Sequence, residues 1–333
     1  MLANLVLALA MISTDSKSAP VSLQVKVLEP VTRHSLEVPS FGYWSDAQCD
    51  GDANLYFHIN NGDYMNPKFF RMSRNGEDAD FLGPSGDFSN LEKFGFEGFF
   101  VTPAGEPYVL GGDGKKSYVI PFAHDGSMKT PIAIETPSAV VVNGFAVFER
   151  GGFLVSGRYS LEDGPVSQRG KSYLAIFEPS GTLRKELHGL LADKDPKSAK
   201  ADPDVALDDE TKIASSEDGN LYLLKSDDVL VISASGDVER KIHFQKPDPK
   251  SLATRVYVSA NLVAIRLSTF SAEQVETQRR YLVLDRDNED KPFGYYKPSE
   301  ETGNSDVCFT REQGFTFQKF DQTRQTLFVT PLR

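Results

Sequence analysis

The chain has 333 residues, 40% hydrophobic and 25% charged, an ordinary globular composition with enough apolar material for a large core. Its 47 acidic residues against 36 basic ones leave a formal charge of −11, which repels nucleic acid and anionic membrane surfaces. No basic stripe reverses this locally, since Lys115-Lys116 and Arg279-Arg280 are isolated pairs, so nucleic-acid binding is excluded.

The first element is an apolar run over residues 1–12, too short to span a membrane but suited to the core of a signal peptide. Small residues at Ser16, Ser18 and Ala19 suit a peptidase, so cleavage is expected between residues 13 and 19. Residues 1–19 are then the signal peptide and residues 20–333 one exported domain, periplasmic or extracellular. The run lacks a Lys or Arg ahead of it, and a buried first strand or helix is the alternative. No later segment is apolar enough for a membrane span, and no Cys follows the run for lipid attachment.

Residues 21–28 form a strand-like segment. From there the chain repeats one phrase: a turn, a short β-prone run, a loop, a second run, and a turn rich in Gly, Asp or Ser. Asp50-Gly51-Asp52-Ala53-Asn54-Leu55-Tyr56 leads to Phe69-Phe70-Arg71-Met72. Pro103-Ala104-Gly105 opens a unit that continues at Tyr118, and Arg150-Gly151-Gly152 one that continues at Tyr173. A polar insertion over residues 188–212 breaks the rhythm. It reads as a solvated loop, and its Asp208-Asp209-Glu210 cluster as solvated charge with Ca²⁺ binding as the alternative. The clearest copy is Asp218-Gly219-Asn220-Leu221-Tyr222, followed by Val229-Leu230-Val231-Ile232 and a turn at Gly236. Weaker copies start near residues 259 and 312.

The first turns run from residue 50 to residue 312 in five steps of about 52 residues, the length of a four-stranded propeller blade. Six blades are expected, seven if two have been merged. The last copy lacks an outer strand, and residues 21–28 are expected to supply it and close the ring.

The stretch from Asp218 to Phe244 resembles an NHL-type repeat, and the layout is similar to the six-bladed, TolB-like propeller superfamily. The resemblance implies an all-β, single-domain propeller. It does not imply a function, because that superfamily includes interaction scaffolds, lactonases, dehydrogenases and cyclases.

The chemistry-bearing residues are sparse. His34, His58, His124, His188 and His243 make no metal or catalytic spacing, and there is no P-loop, G-x-S-x-G elbow or dinucleotide fingerprint. Two strings begin like EF-hand loops, at Asp50 and Asp285, but position six is Leu55 or Asp290 and position twelve Asn61 or Tyr296. Gluconolactonase-like propellers hold a metal at the channel mouth through a Glu in a Glu-Gly phrase and an Asn in an Asn-Gly phrase. Glu97-Gly98 and Asn143-Gly144 match these, and Gly157 stands where that resemblance implies an Asp. Under this reading Glu97 and Asn143 are the metal residues of a Ca²⁺-dependent lactonase or esterase. Otherwise no cofactor is expected.

The leading reading is a non-catalytic scaffold for a protein, peptide or glycan. Loops between blades, and between second and third strands, share one rim. They are expected to carry Trp44, Asp46, residues 58–66, Arg158 with residues up to 171, Arg255, and Arg266 with residues up to 278. Cys49 and Cys308, without CxxC spacing, fall on the innermost strands of the first and last blades. A closed ring makes them neighbours, and a disulfide there competes with two separately buried thiols.

Overall fold

The computed structural model describes residues 23–37, 43–44, 47–60, 68–73, 79–82, 95–113, 115–188, 190, 212–302, 305–310, 312, 314–320 and 324–332. The N-terminal part contributes β1 (Val25–Leu28) and β2 (Thr32–Glu37). The first blade holds β3 (Tyr43–Trp44), β4 (Gln48–Cys49), β5 (Leu55–Asn60), β6 (Lys68–Met72) and β7 (Ala79–Leu82). The second holds β8 (Gly95–Val101), β9 (Pro107–Gly112), β10 (Ser117–Pro121) and β11 (Ile132–Ile134). The third holds β12 (Val140–Val147), β13 (Phe153–Tyr159), β14 (Ser172–Phe177) and β15 (Leu183–Glu186). The fourth holds β16 (Ile213–Ser215), β17 (Leu221–Lys225), β18 (Asp228–Ile232) and β19 (Val238–His243). The fifth holds β20 (Leu252–Ser259), β21 (Leu262–Phe270), β22 (Glu276–Asp285) and β23 (Lys291–Pro298). The sixth holds β24 (Ser305–Thr310), β25 (Gly314–Phe320) and β26 (Arg324–Thr330).

Each blade is an antiparallel meander, and the six sheets form a ring: the protein is a six-bladed β-propeller. Apolar faces of neighbouring blades pack against each other. One cluster joins Phe100 and Leu110 of the second blade to Phe145, Leu154 and Ile176 of the third and Leu221 of the fourth. Another joins Tyr257 and Tyr281 of the fifth blade to Phe309, Phe315 and Phe317 of the sixth. Closing the ring leaves no end blade with an exposed apolar face.

All six first turns fall where the repeated phrase places them, between β4 and β5, β8 and β9, β12 and β13, β16 and β17, β20 and β21, and β24 and β25. The glycines of the phrase answer a backbone demand: Gly219 and Gly105 have φ of +87° and +79°. In the clearest copy Asp218 accepts hydrogen bonds from Asn220 N at 2.9 Å and Tyr222 Oη at 2.7 Å. Asp50 does the same with Asn54 N at 2.8 Å and Tyr56 Oη at 3.0 Å. In these two blades the Asp and Tyr are a clasp that pins the first turn to the second strand.

Ring closure differs from expectation in its residues. The outer strand of the last blade is β2, antiparallel to β26 with Thr32 opposite Val329 and Glu37 opposite Arg324. The apolar segment ahead of it supplies β1, a fifth strand on the fifth blade, parallel to β23 from Val25–Tyr295 to Leu28–Pro298. The reason is burial. Leu28 is 2% exposed in the core between the fifth and sixth blades. β2 is an outer strand whose Thr, Arg, His and Ser residues need little cover. Arg33 lies over the Phe328 ring at 5.5 Å. The insertion over residues 188–212 lies almost wholly outside the described residues, between the third and fourth blades.

Candidate functional site

The two ends of the propeller differ. At one end, the turn rim, lie the first turns and the turns between third and fourth strands. At the other, the loop rim, innermost strands begin and the loops between second and third strands project.

Four innermost strands carry a register shift: between Phe96 and Gly98, Val142 and Gly144, Ala253 and Arg255, and Asp306 and Cys308. The extra residue is Glu97, Asn143, Thr254 and Val307 respectively. A bulge of this kind re-aims a side chain out of the ladder. Glu97 and Asn143 therefore hold equivalent positions on neighbouring blades. Water reaches Glu97, but the strands around the channel crowd it, and this burial pushes its carboxyl up to about 7.

A metal centre of the lactonase type needs more than these two residues. A side chain at position 157 has no room: a Cβ on Gly157 would lie 2.3 Å from the carbonyl oxygen of Val141. Among the described residues no three His, Cys, Asp or Glu side chains gather as a metal site. At positions 97, 143 and 157 the chain does not reproduce the lactonase-type ligand set.

Arg255 and Arg266 stand on strands, where a loop position was expected. Arg255 lies on β20 and is 9% exposed; its Nη2 donates to Ala47 O at 3.4 Å and its guanidinium stacks on Tyr257 at 5.2 Å. Arg266 lies opposite it on β21 and donates from Nε to Thr254 Oγ1 at 3.0 Å. Residues 266–278 are mostly ladder, because β21 and β22 are the longest strands, with only residues 271–275 as loop. The polar residues of that ladder satisfy one another: Ser268 Oγ donates to Glu276 Oε1 at 2.5 Å, and Arg279 Nε donates to the same oxygen at 3.2 Å. Burial and the neighbouring Arg279 charge lower the pKa of Arg266. Ser268 on β21 and Glu276 and Arg279 on β22 were not singled out from the sequence, because only the pairing of the two strands brings them together.

Arg158 lies next to the end of β13 on the loop rim, paired across the ladder with Val141. Trp44 pairs through its backbone with Ile59 at the same end of the first blade; its side chain and Asp46 lie outside the described residues. Beyond Arg158 the chain makes a self-bonded loop. Ser160 Oγ accepts from Glu162 N at 3.2 Å and Asp163 N at 3.1 Å, and Arg169 Nε donates to Gly164 O at 2.9 Å. This loop holds Leu161 65% and Val166 83% exposed. The tip of the fifth blade holds Phe270 40% and Val275 62% exposed. The fourth blade, between them, turns in two residues, Ser226 and Asp227.

The central channel contains a cavity of about 110 Å³ toward the turn rim, walled by Gln48, Cys49, Arg255, Tyr257, Cys308 and Thr310, with Glu217 at its floor. Cys49 and Cys308 are joined by a disulfide, with Cα atoms 5.5 Å apart and a sequence separation of 259. Glu217 Oε1 comes within 2.9 Å of where a Cβ on Gly51 would sit, so this side chain reaches the first blade from the fourth. Burial, and then the charges of Glu106 and Glu217, raise the pKa of Glu149 beside the floor, although a backbone bond from Ala104 opposes them.

No protein-family model matches the chain, and no curated protein is similar to it. Solved structures resemble it as folds. A putative gluconolactonase is 13% identical with a TM-score of 0.49, covering 92% of this chain and 95% of that one. A chain of a nidogen–laminin complex is 10% identical with a TM-score of 0.45, covering 89% of each. The β-propeller domain of the Trilobed protease from Pyrococcus furiosus is 11% identical with a TM-score of 0.40, covering 84% of this chain and 78% of that one.

Proposed function

We propose that this protein is an exported, non-catalytic scaffold that binds a protein or peptide across its loop rim. One observation carries the reading. Among the described residues eleven large apolar side chains are exposed, and six of them (Val141, Leu161, Val166, Leu252, Phe270 and Val275) stand on the loop rim. The other five are spread singly along outer strands, with Val31, Leu183, Val238 and Phe293 toward the turn-rim ends of four different blades. Scattered single apolar residues need no explanation, but a concentration at one end of a rigid ring marks an interaction surface. The apolar tips of the third and fifth blades flank the short turn of the fourth, which leaves room for a chain to lie between them.

The rim double variant Leu161→Asp/Phe270→Asp tests this. Immobilised wild type, the rim variant and a turn-rim variant, Glu217→Ala, are compared for what they retain from the native extracytoplasmic fraction. A species held by wild type and Glu217→Ala but lost by the rim variant supports the reading. Equal retention by all three, or loss only in Glu217→Ala, refutes it. The hydrolase alternative predicts a melting point raised by Ca²⁺ and lowered by EDTA, because a ligand of the native state stabilises it. The scaffold reading expects no shift in either.

A further inference from the structure

The Cys49–Cys308 bond sits at the seam of the ring, and the seam is closed a second time. At the outer circumference β2 zips onto β26 through six residue pairs. At the inner circumference the disulfide joins β4 to β24. What it holds there is slight: β4 has two residues, paired only as Gln48–Tyr56 and Cys49–Leu55. On its other side β4 is tied to the second blade by hydrogen bonds. Gln48 Nε2 donates to Phe99 O at 2.6 Å, Gln48 Oε1 accepts from Val101 N at 2.9 Å, and Gly51 N donates to Pro103 O at 2.7 Å. Breaking the disulfide would therefore remove the covalent tie between β4 and the sixth blade, leaving only the packing of Ala47, Leu55 and Met72 around Cys308, without opening the outer closure.

The bond also has a reachable side. Both cysteines line the channel cavity, Cys49 is part-exposed, and Cys308 is 1% exposed in the core. Thiol–disulfide exchange proceeds by attack of a thiolate on the accessible sulfur, and the other sulfur leaves. The arrangement selects Cys49 as the sulfur attacked and Cys308 as the leaving group. The Arg255 guanidinium, which bonds the carbonyl of Ala47 two residues before Cys49, puts positive charge on the same cavity wall. A nearby cation favours thiolate over thiol.

We propose that Cys49 is a thiol-exchange site in the channel, and that the seam disulfide is a reversible latch on the inner wall, worked by a low-molecular-weight thiol. In the first step the thiolate sulfur bonds to Cys49 Sγ, the Cys49–Cys308 bond breaks, and Cys308 departs as a thiolate that takes a proton from water. A second thiol attacks the mixed disulfide on its own sulfur and leaves as the small disulfide, and Cys49 is released as a thiolate that is protonated in turn. Two small thiols are oxidised by two electrons and the protein bond is reduced by two. This inference stands apart from the rim as a binding surface: the latch changes the channel wall between the first and sixth blades whatever the rim holds.

The intact, oxidised chain in native buffer provides the test, with dithiothreitol as the probe and thiol release as the readout. Attack on the folded protein makes the rate follow the reagent: a tenfold rise in dithiothreitol gives about a tenfold faster release, and urea below the unfolding transition leaves it unchanged. Trapping with mercaptoethanol and alkylation places the adduct on Cys49 and the free thiol on Cys308. The reduced chain keeps a cooperative melt, with faster amide exchange confined to residues 47–60. A rate that reaches a plateau and accelerates in urea would show that the bond reacts only after unfolding and would overturn the proposal. So would a first adduct on Cys308. If reduction abolishes the folded state, the latch is a staple and the idea fails. The rate law is read on wild type, so it holds as a test even where Cys49→Ser/Cys308→Ser does not fold.

Discussion

The turn rim and the loop rim are built from the same six meanders, yet they obey different rules. On the turn rim one solution repeats: an acidic residue closes a tight turn and takes the hydroxyl of a tyrosine on the second strand. Asp50 does this with Tyr56, Glu106 with Tyr108 at 3.1 Å, and Asp218 with Tyr222. Arg286 of the fifth blade then stacks on Tyr222 at 5.0 Å and bonds Asp218 at 2.6 Å, which joins two blades. On the loop rim the bulge is what repeats among the described residues; the loops of the third, fourth and fifth blades differ in length, and apolar side chains of the third and fifth face solvent. Repetition at one end and variety at the other is what a ring needs when one end sets its geometry and the other meets a ligand.

The largest expected effect breaks the ring that both rims share. Removing residues 32–37 takes the outer strand from the last blade and exposes the third strand as an open edge. The cooperative melt should disappear and the chain should aggregate. Removing only residues 23–28 strips a fifth strand from a blade that keeps four, and should lower the melting point while leaving the transition cooperative. If the shorter N-terminal deletion is the more damaging one, closure has been assigned to the wrong strand.

Next comes the turn-rim clasp. Asp218→Ala removes the acceptor for Tyr222 and Arg286 and should cost about 2 kcal/mol, the scale of hydrogen bonds to a charged group, read from urea midpoints at constant slope. The same change at the exposed Asp125, which bonds only Ser127 within its own turn, should cost little. Equal losses would mean that the clasp contributes nothing beyond its local turn.

Glu97 sharpens the comparison through pH. Burial raises its carboxyl to about 7 in the folded chain, so the folded state binds this proton more tightly than the unfolded state does. Its contribution to stability is complete below the ordinary carboxylate range and is lost as pH rises through about 7. Glu97→Gln should flatten the fall in stability between roughly pH 5 and 8. Carboxyl NMR provides the check: a midpoint for Glu97 in the usual carboxylate range would remove its special setting.

The smallest effect on stability belongs to the loop-rim tips. Val166→Asp and Val275→Asp alter exposed side chains and should shift unfolding by no more than about 0.5 kcal/mol. A loss well above that would show that these tips pack against the fold, and that the rim is not a free surface.

The amino-acid order by itself determined the class of fold, the blade count and the six first turns. Those features are local: a Gly with positive φ, an Asp that closes a turn and a Tyr four to six residues later all leave marks within one phrase, and the phrase recurs. The seam was half legible. A missing outer strand at the end of the chain called for an N-terminal partner, but the apolar segment over residues 21–28 drew attention away from Thr32-Arg33-His34-Ser35-Leu36-Glu37. An outer strand buries little, so its sequence carries no strong alternation, whereas β1 is apolar because Leu28 enters the core between two blades. Only the tertiary structure decided that Arg255 and Arg266 oppose each other on adjacent strands, that Glu97 and Asn143 occupy matching bulges, and that Gly157 leaves no room for a third ligand. Those facts depend on register and on how blades meet around the channel. Residues tens or hundreds of positions apart set them, and no short stretch of sequence encodes the distance between them.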